Sequence, residues 1–339
     1  MATPTMNRPT PERIFATLTA YQSTAALRAA IDLSVFTLIA EGARDAAALA
    51  SKTAASERGI RMLCDYLTVQ GFLTKSDNTY GLTQESAIFL DRHSPAYMGS
   101  AAEFLGGERS FANFRELTAA VRKGGTVGDN GANTAPDDEM WVKFARSMAG
   151  LTGISASFIA DLANPAAGQP CKVLDIAASH GMFGIAIAKK YPQAQIVALD
   201  WPNVLQVALE NAQAAGVADR LTALPGSAFD ANFGAGYDYV LITNLFHHFD
   251  VAMCEKLMKR VHAALKAGGK AITLEFVPNE DRVSPPMAAA FSLIMLANTD
   301  VGDAYTFAEY EKMFRNSGFA KTTLHHVPDM PQQVLVSEK

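Results

Sequence analysis

The residues Asp175-Ile-Ala-Ala-Ser-His-Gly-Met-Phe-Gly184 directly follow the apolar run Lys172-Val-Leu. An acid at the end of a strand, then small residues, then an apolar helical pattern, describes the first turn of a nucleotide-binding α/β unit. Two cofactors compete for such a turn. A dinucleotide fingerprint, GxGxxG, would fall on Ser179, Gly181 and Gly184 with its first glycine missing, and Asp200 follows at about the separation of ~20 residues expected of a ribose-binding acid. S-adenosylmethionine has no pyrophosphate, so the backbone need not approach phosphate oxygens. Ala177 and Ser179 can then stand where a dinucleotide site needs glycine, with Asp175 and Gly181 completing the turn. The substitutions favour the methyl donor over the nicotinamide dinucleotide.

Asp200 precedes Trp201-Pro202. Its carboxylate can accept both hydroxyls of a ribose, or it can cap the helix containing Val204 to Ala214. Gly226-Ser227-Ala228-Phe229-Asp230 follows a third strand and reaches the same sheet edge. Phe229 can pack on an adenine face, with Ser227 or a backbone amide such as that of Ala228 at its rim, or serve as an ordinary core aromatic. The fourth strand, Tyr237 to Thr243, delivers Asn244-Leu-Phe-His247-His248-Phe249-Asp250 to that edge. Asn244 is placed beside the cofactor. A histidine there, with an imidazole that ordinarily titrates near neutrality, can take a proton from a hydroxyl. Glu275, after Gly268-Gly269-Lys270, can orient the His247 ring, or be a strand-edge carboxylate facing water. His325 and His326 read as structural.

These positions need elements to carry them. The chain has 339 residues, 49% hydrophobic and 19% charged, with a net charge of −5. That length suggests about two domains with a sizeable core, and the spread of charge excludes an electrostatic footprint for nucleic acid or anionic lipid. Cys64, Cys171 and Cys254 stand far apart, without metal-like spacing, so no metal and a reducing compartment are expected. Residues 1–10 have no apolar core and are expected to be a short disordered tail rather than a signal peptide. The longest uncharged stretch, Val283 to Thr299, is shorter than the ~20 residues a spanning helix needs, so a soluble, cytoplasmic chain is expected.

The first third is helical by periodicity, with an apolar helix from Ser23 to Ala40. Helices near Asp45 and over Ser56 to Leu67 precede a hairpin turning at Ser76-Asp77-Asn78, the order of a winged helix. Its recognition helix would set Arg58 and Arg61 against Glu57 and Asp65, so its charges cancel and DNA contact is not expected. Residues 107 to 139 read as a glycine-rich irregular connection with Gly124-Gly125, Gly128, Gly131 and Pro136, followed by one helix from Met140 to Ala160. Strands are expected at Cys171–Asp175, Gln195–Asp200, Leu221–Leu224, Tyr237–Thr243 and Ala271–Val277. Alternating with helices, they specify a doubly wound parallel sheet. The expected divisions are 1–105, 106–160 and 161–339.

Taken together, these residues resemble the S-adenosylmethionine-dependent O-methyltransferases of the plant caffeate type and their bacterial relatives that decorate antibiotics and pigments. The resemblance spans nearly the whole chain, including a connecting helix with Trp141, Phe144 and Met148. It implies a Rossmann-like class I methyltransferase domain behind a mainly helical winged-helix dimerisation domain, and a homodimer whose N-terminal helices close the partner's acceptor pocket. The family's catalytic histidine falls on His247 and its first supporting acid on Glu275. Its second acid falls on Ala304, beside Asp303. The acid after the histidine is His248 here, the fourth-strand lysine is Thr243, and the adenine-side acid is Ser227. The implied reaction is methyl transfer to a hydroxyl of a small, planar, mostly apolar acceptor. Phe144, Met148, His248, Phe291, Met295 and Asn298 would line its pocket, the last three aromatic, apolar and polar positions lying at helical spacing. Transfer to carbon or nitrogen, or a cofactor-assisted rearrangement, is the alternative that Ala304 favours. A winged-helix ligand-responsive regulator is the alternative of another class, and a nicotinamide-dependent dehydrogenase stands third.

Overall fold

The computed structural model describes residues 9–127, 139–165 and 168–339. Gly128, Gly131, Pro136 and most of the expected tail lie outside the described residues. The chain divides into two units, Met1–Gly107 and Glu108–Lys339.

The first unit carries helices α1 (Glu12–Leu18), α2 (Ala20–Asp32), α3 (Val35–Ala40), α4 (Ala46–Thr53) and α5 (Glu57–Val69), the hairpin β1 (Leu73–Ser76) and β2 (Thr79–Leu82), then α6 (Gln84–Phe89) and α7 (Ala101–Leu105). Asp45 and Ser56 cap α4 and α5 by accepting the N–H groups of Ala48 and Gly59. The hairpin pairs Ser76 with Thr79 across Asp77, whose φ is +51°. Helix, helix, hairpin is the winged-helix order expected. Asp65 on α5 accepts from Arg61 at 3.0 Å, Lys75 at 2.5 Å and the Tyr80 hydroxyl at 2.7 Å. Arg61 and Lys75 are therefore paired within the fold, and the wing is tied to its helix. The single helix expected from Ser23 to Ala40 is instead two. Ser34 takes a φ of +56°, which an α-helix does not contain, and α3 turns Phe36 and Ile39 into the core. In contrast, Ile14, Phe15, Leu18 and Tyr21 on α1 and the start of α2 are 61–67% exposed.

The second unit begins with α8 (Glu108–Arg115) and α9 (Leu117–Lys123), which corrects the irregular connection expected from residue 107. Phe111, Phe114, Leu117, Ala120 and Val121 recur at helical spacing, and the breaking glycines start only at Gly124. Gly125 is required there, since a Cβ would lie 2.3 Å from the Asp300 carbonyl oxygen. The one helix expected from Met140 to Ala160 is also corrected. It is α10 (Glu139–Met148), a 3-10 turn at Ala149–Leu151 and α11 (Gly153–Ala163), because Gly150 and Gly153 weaken helix where they stand.

Then follow β3 (Cys171–Ile176), α12 (Met182–Lys190), β4 (Ala194–Asp200), α13 (Pro202–Ala214), β5 (Leu221–Pro225), β6 (Tyr237–Thr243), α14 (Val251–Ala264), β7 (Leu265–Glu275), α15 (Pro286–Asn298), α16 (Phe307–Asn316), β8 (Lys321–His326) and β9 (Gln333–Glu338). The sheet order is β5-β4-β3-β6-β7-β9-β8. β5, β4, β3, β6 and β7 are mutually parallel, so their carboxyl ends share one edge. β7 starts six residues before the expected Ala271 and stops at Glu275, short of Val277. β9 is antiparallel to β7 and β8, and β8 forms the far edge of the sheet. Apolar side chains cover both faces: Phe183, Ile185 and Ile196 belong to one cluster, Tyr237, Phe246, Met258 and Phe314 to the other.

Candidate active site

The turn after β3 is held by its own chain. Ala177, Ser179 and Gly181 have φ of +53°, +52° and +72°. Space also demands glycine at Gly181, since a Cβ would meet that of Ala208 at 2.9 Å, and at Gly184, where it would meet Ile196 Cγ2 at 2.7 Å. The Ala178 N–H donates to the Leu199 carbonyl at 3.0 Å, Ser179 N–H to Asp200 Oδ2 at 2.7 Å and Gly181 N–H to the Ala178 carbonyl at 2.7 Å. At the start of α12, Met182 N–H donates to His180 Nδ1 at 3.1 Å and Gly184 N–H to Asp175 Oδ2 at 3.1 Å. A dinucleotide needs such amides for its pyrophosphate, and here they are spent.

Asp175 is fully buried behind this turn, and burial pushes its carboxyl up to about 8, against the lowering effect of the Gly184 N–H. Asp175 Oδ1 and Ser179 Oγ are buried without a hydrogen-bond partner. Orphaned atoms of this kind are places for a polar ligand or ordered water. Burial also pushes the His180 imidazole down to about 4, so it is neutral near pH 7. A turn beside the Asp200 carboxylate, with no free phosphate-binding amide at these positions and no cation of its own, fits a positively charged, phosphate-free cofactor. The raised Asp175 carboxyl has a consequence for stability. Its favourable contribution is fully present below its ordinary value of 3.8 and is lost as pH rises through about 8. Asp175→Asn keeps an acceptor for Gly184 and cannot ionise. Between about pH 6 and pH 9 its melting temperature is expected to fall less than that of the parent in scanning calorimetry.

Asp200 ends β4 with Oδ1 accepting the Trp201 N–H and Oδ2 the Ser179 N–H, both at 2.7 Å. Burial raises its carboxyl to about 6 against those two bonds. Each oxygen keeps one further lone-pair direction. The N-cap of α13 is Trp201, which makes no side-chain cap. Trp201, like Trp141 and Val142, packs against the buried cluster of Ala145, Val204 and Val207. After β5, Ser227 Oγ accepts the Phe229 N–H at 3.1 Å, and Ala228 is half-buried beside it. The half-buried Phe229 ring meets Phe249 edge to face at 4.9 Å.

His247 sits on the 3-10 turn Phe246–His248 that follows β6. Its Nδ1 lies 2.6 Å from Glu275 Oε2. Glu275 Oε1 accepts the N–H groups of Leu245 at 2.9 Å and Phe246 at 2.8 Å. Glu275 is fully buried, which rules out the water-facing alternative, and His247 is 4% exposed. A carboxylate takes the proton-bearing side of the ring, so Nδ1–H faces Glu275 and Nε2 presents a lone pair. Aromatic rings surround this imidazole: Phe291 edge-on at 4.9 Å and His248 at 4.4 Å, with Trp141 5.7 Å from His248 and Phe144 5.8 Å from Trp141. Burial, then the neighbouring His247, holds His248 well below its ordinary value, and its Nδ1 is buried without a partner.

Phe276 stacks on Phe291 at 3.8 Å and was not singled out from the sequence, nor was Trp141 as a site residue. The spacing of aromatic residues in α10 carried a signal for Trp141, whereas Phe276 had none. Phe291, Met295 and Asn298 share a face of α15, and Met295 is buried. The Asn298 amide is engaged: Oδ1 accepts from Asn113 at 2.8 Å and Nδ2 donates to the Ile294 carbonyl at 2.8 Å. Met148 ends α10, half-buried. Ala304 is fully buried, and Asp303 pairs outward with Arg282 at 3.3 Å, so neither supplies a second acid to His247. Asn244 follows β6 with a φ of +54°. His325 Nε2 meets Thr323 Oγ1 within β8 at 3.0 Å. Among the described residues no group of three or more His, Cys, Asp or Glu is placed to hold a metal ion, and no helix is long and apolar enough to cross a membrane.

The chain is similar to known proteins. The family model of the O-methyltransferase domain matches residues 114–320, and that of the O-methyltransferase dimerisation domain matches residues 15–92. The 3-hydroxy-5-methyl-1-naphthoate 3-O-methyltransferase of Streptomyces sahachiroi is 26% identical over 298 residues, covering 87% of this chain and 85% of its own. The solved structure of a candidate O-methyltransferase from Nostoc punctiforme is 50% identical, with a TM-score of 0.94 over 98% of this chain and 100% of its own. Human N-acetylserotonin methyltransferase, solved with S-adenosylmethionine, is 23% identical with a TM-score of 0.85 over 98% of this chain and 99% of its own, a likeness of fold.

Proposed function

The chain belongs to the O-methyltransferase family, and from that premise we propose that it methylates a hydroxyl of a small aromatic or polyketide-like acceptor, with S-adenosylmethionine as donor and His247 as general base. The observation that carries this reading is the buried His247–Glu275 pair at 2.6 Å, with Nε2 left as an acceptor among aromatic rings. When bound, S-adenosylmethionine supplies a methyl group made electrophilic by its sulfonium. The chain's task is to align the acceptor oxygen with that carbon and remove one proton. His247 Nε2 receives the hydroxyl proton, and Glu275 holds the ring and stabilises the imidazolium through Nδ1. Phe144, Met148, His248, Phe291 and Met295, with Trp141 and Phe276, would clasp a planar ring, with Asn298 at the far end of that helix face. Asp200 would accept the ribose hydroxyls beside Trp201, Phe229 would pack on the adenine with Ser227 and Ala228 at its rim, and Ala177, Ser179 and Gly181 would shape the floor above Asp175.

The fully buried Ala304 favours a second reading, in which carbon or nitrogen is methylated or the cofactor assists a rearrangement, because these need less acid and base machinery. The exposed stripe of Ile14, Phe15, Leu18 and Tyr21 supports a homodimer through the N-terminal domain. Calorimetric titration tests the cofactor. S-adenosylmethionine and S-adenosylhomocysteine are expected to bind with dissociation constants of about 1 μM, roughly −8 kcal/mol, and NADH not at all. NADH binding without either sulfur compound would replace this reading with the dehydrogenase one.

A further inference from the structure

The C-terminal hairpin reaches the functional edge of the sheet, and nothing in the reaction above uses it. Because β9 runs antiparallel to β7, Gln333 pairs with Glu275, and the connection from β8 arrives where β3 to β7 end. Two glutamines act there. Gln333 Nε2 donates to the Val277 carbonyl at 3.0 Å, and Gln332 Nε2 donates to Asn244 Oδ1 at 2.6 Å. Asn244 is the first residue past β6, and its left-handed backbone is pinned by an N–H bond to the Leu274 carbonyl at 2.8 Å. A non-glycine residue held in that conformation by its surroundings is a feature that clusters at ligand sites. Gln332 fixes the orientation of the Asn244 amide through Oδ1, and Nδ2, with two N–H donors, has no partner among the described residues.

Strand order says what would face those donors, on the reading of the cofactor just given. With adenine at the end of β5 and ribose at the end of β4, the order β5-β4-β3-β6 leaves the amino-acid arm to extend over β3 and β6. That arm carries a carboxylate, which needs donors. The turn amides of Ser179, Gly181, Met182 and Gly184 are already spent, and the last residue of β6 is Thr243, which brings no cation. We propose that Gln332 is a positioning residue: by holding Asn244 Oδ1 it aims Asn244 Nδ2 at the carboxylate of the cofactor's amino-acid arm.

Two probes test this in the full-length protein by calorimetry: S-adenosylhomocysteine, and methylthioadenosine, which keeps the nucleoside and lacks the amino-acid arm. Gln332→Ala and Asn244→Ala are each expected to weaken S-adenosylhomocysteine about five- to tenfold and to leave methylthioadenosine within about twofold. Gln332→Glu is the sharper variant. A carboxylate at that position would draw the Asn244 NH2 toward itself and turn Oδ1 toward the ligand carboxylate, so it should weaken S-adenosylhomocysteine more than Gln332→Ala does, by about thirtyfold. Equal losses for both probes would reduce Gln332 to a structural role and overturn the proposal, as would unchanged S-adenosylhomocysteine binding in both Gln332 variants. A parent protein that binds methylthioadenosine but not S-adenosylhomocysteine also overturns it, while one that binds neither overturns the cofactor reading beneath it.

Discussion

His247→Ala is expected to lower methyl transfer about a thousandfold while S-adenosylhomocysteine binding stays within about twofold of the parent, because a positioned general base contributes about 10²–10⁴ to rate. The measurement is turnover of the phenolic acceptor that performs best in a screen, with calorimetry of the cofactor product alongside. Glu275 sharpens the test. Its Oε2 fixes the ring by taking Nδ1–H, and its Oε1 holds the Leu245 and Phe246 amides. In Glu275→Gln the carbonyl oxygen can keep those two amides, which leaves the NH2 facing Nδ1. The ring must then carry its proton on Nε2, the atom that should accept one. Glu275→Gln is therefore expected to lose nearly as much turnover as His247→Ala, with cofactor binding intact. Turnover within tenfold of the parent in both variants would remove His247 from the role of base and strengthen the reading in which little acid and base work is done.

The parts of this site that were legible in the sequence are those where side-chain type and strand end coincide. Asp175, Asp200, Asn244, His247 and Glu275 each end or follow an apolar run, and a parallel sheet gathers such positions on one edge. Directions were not legible. Asp175 and Asp200 look alike in sequence, yet one lies fully buried holding Gly184 while the other is half-buried and holds Ser179 and Trp201. Asp303 stands next to the position of a second acid, and only the ion pair with Arg282 shows it turned away. The hairpin β8–β9 was not legible either, because antiparallel return to the edge is a matter of pairing, not composition. Glycine was misleading in both senses: Gly124 and Gly125 drew attention from α8 and α9, while Gly150 and Gly153 within an apolar periodic run did not prevent one helix being expected where two lie.

Asp200→Ala is expected to weaken S-adenosylhomocysteine at least a hundredfold, since two hydrogen bonds to one carboxylate at about 1.5–3 kcal/mol each exceed the 2.7 kcal/mol that a hundredfold requires. Part of that loss comes from the turn, which Asp200 ties through Ser179 and Trp201, so the substitution alone does not isolate the ribose contact. Acidity tests the contact with the side chain still in place. The ionised carboxylate is the better acceptor for hydroxyls, and burial raises this group to about 6 in the free protein. A ligand that binds the ionised form more tightly lowers that value in the complex. Affinity should therefore hold between about pH 7 and 6.5, where Asp175 is already neutral, and fall below about 6, by up to tenfold per pH unit. The neighbouring titrations lie elsewhere: His180 at about 4, and Asp175 at about 8, already neutral where the fall begins. Methylthioadenosine should follow the same curve, because it keeps the ribose. An affinity that stays flat for both probes down to pH 5 would take the ribose away from Asp200 and leave that acid as the strut of the turn.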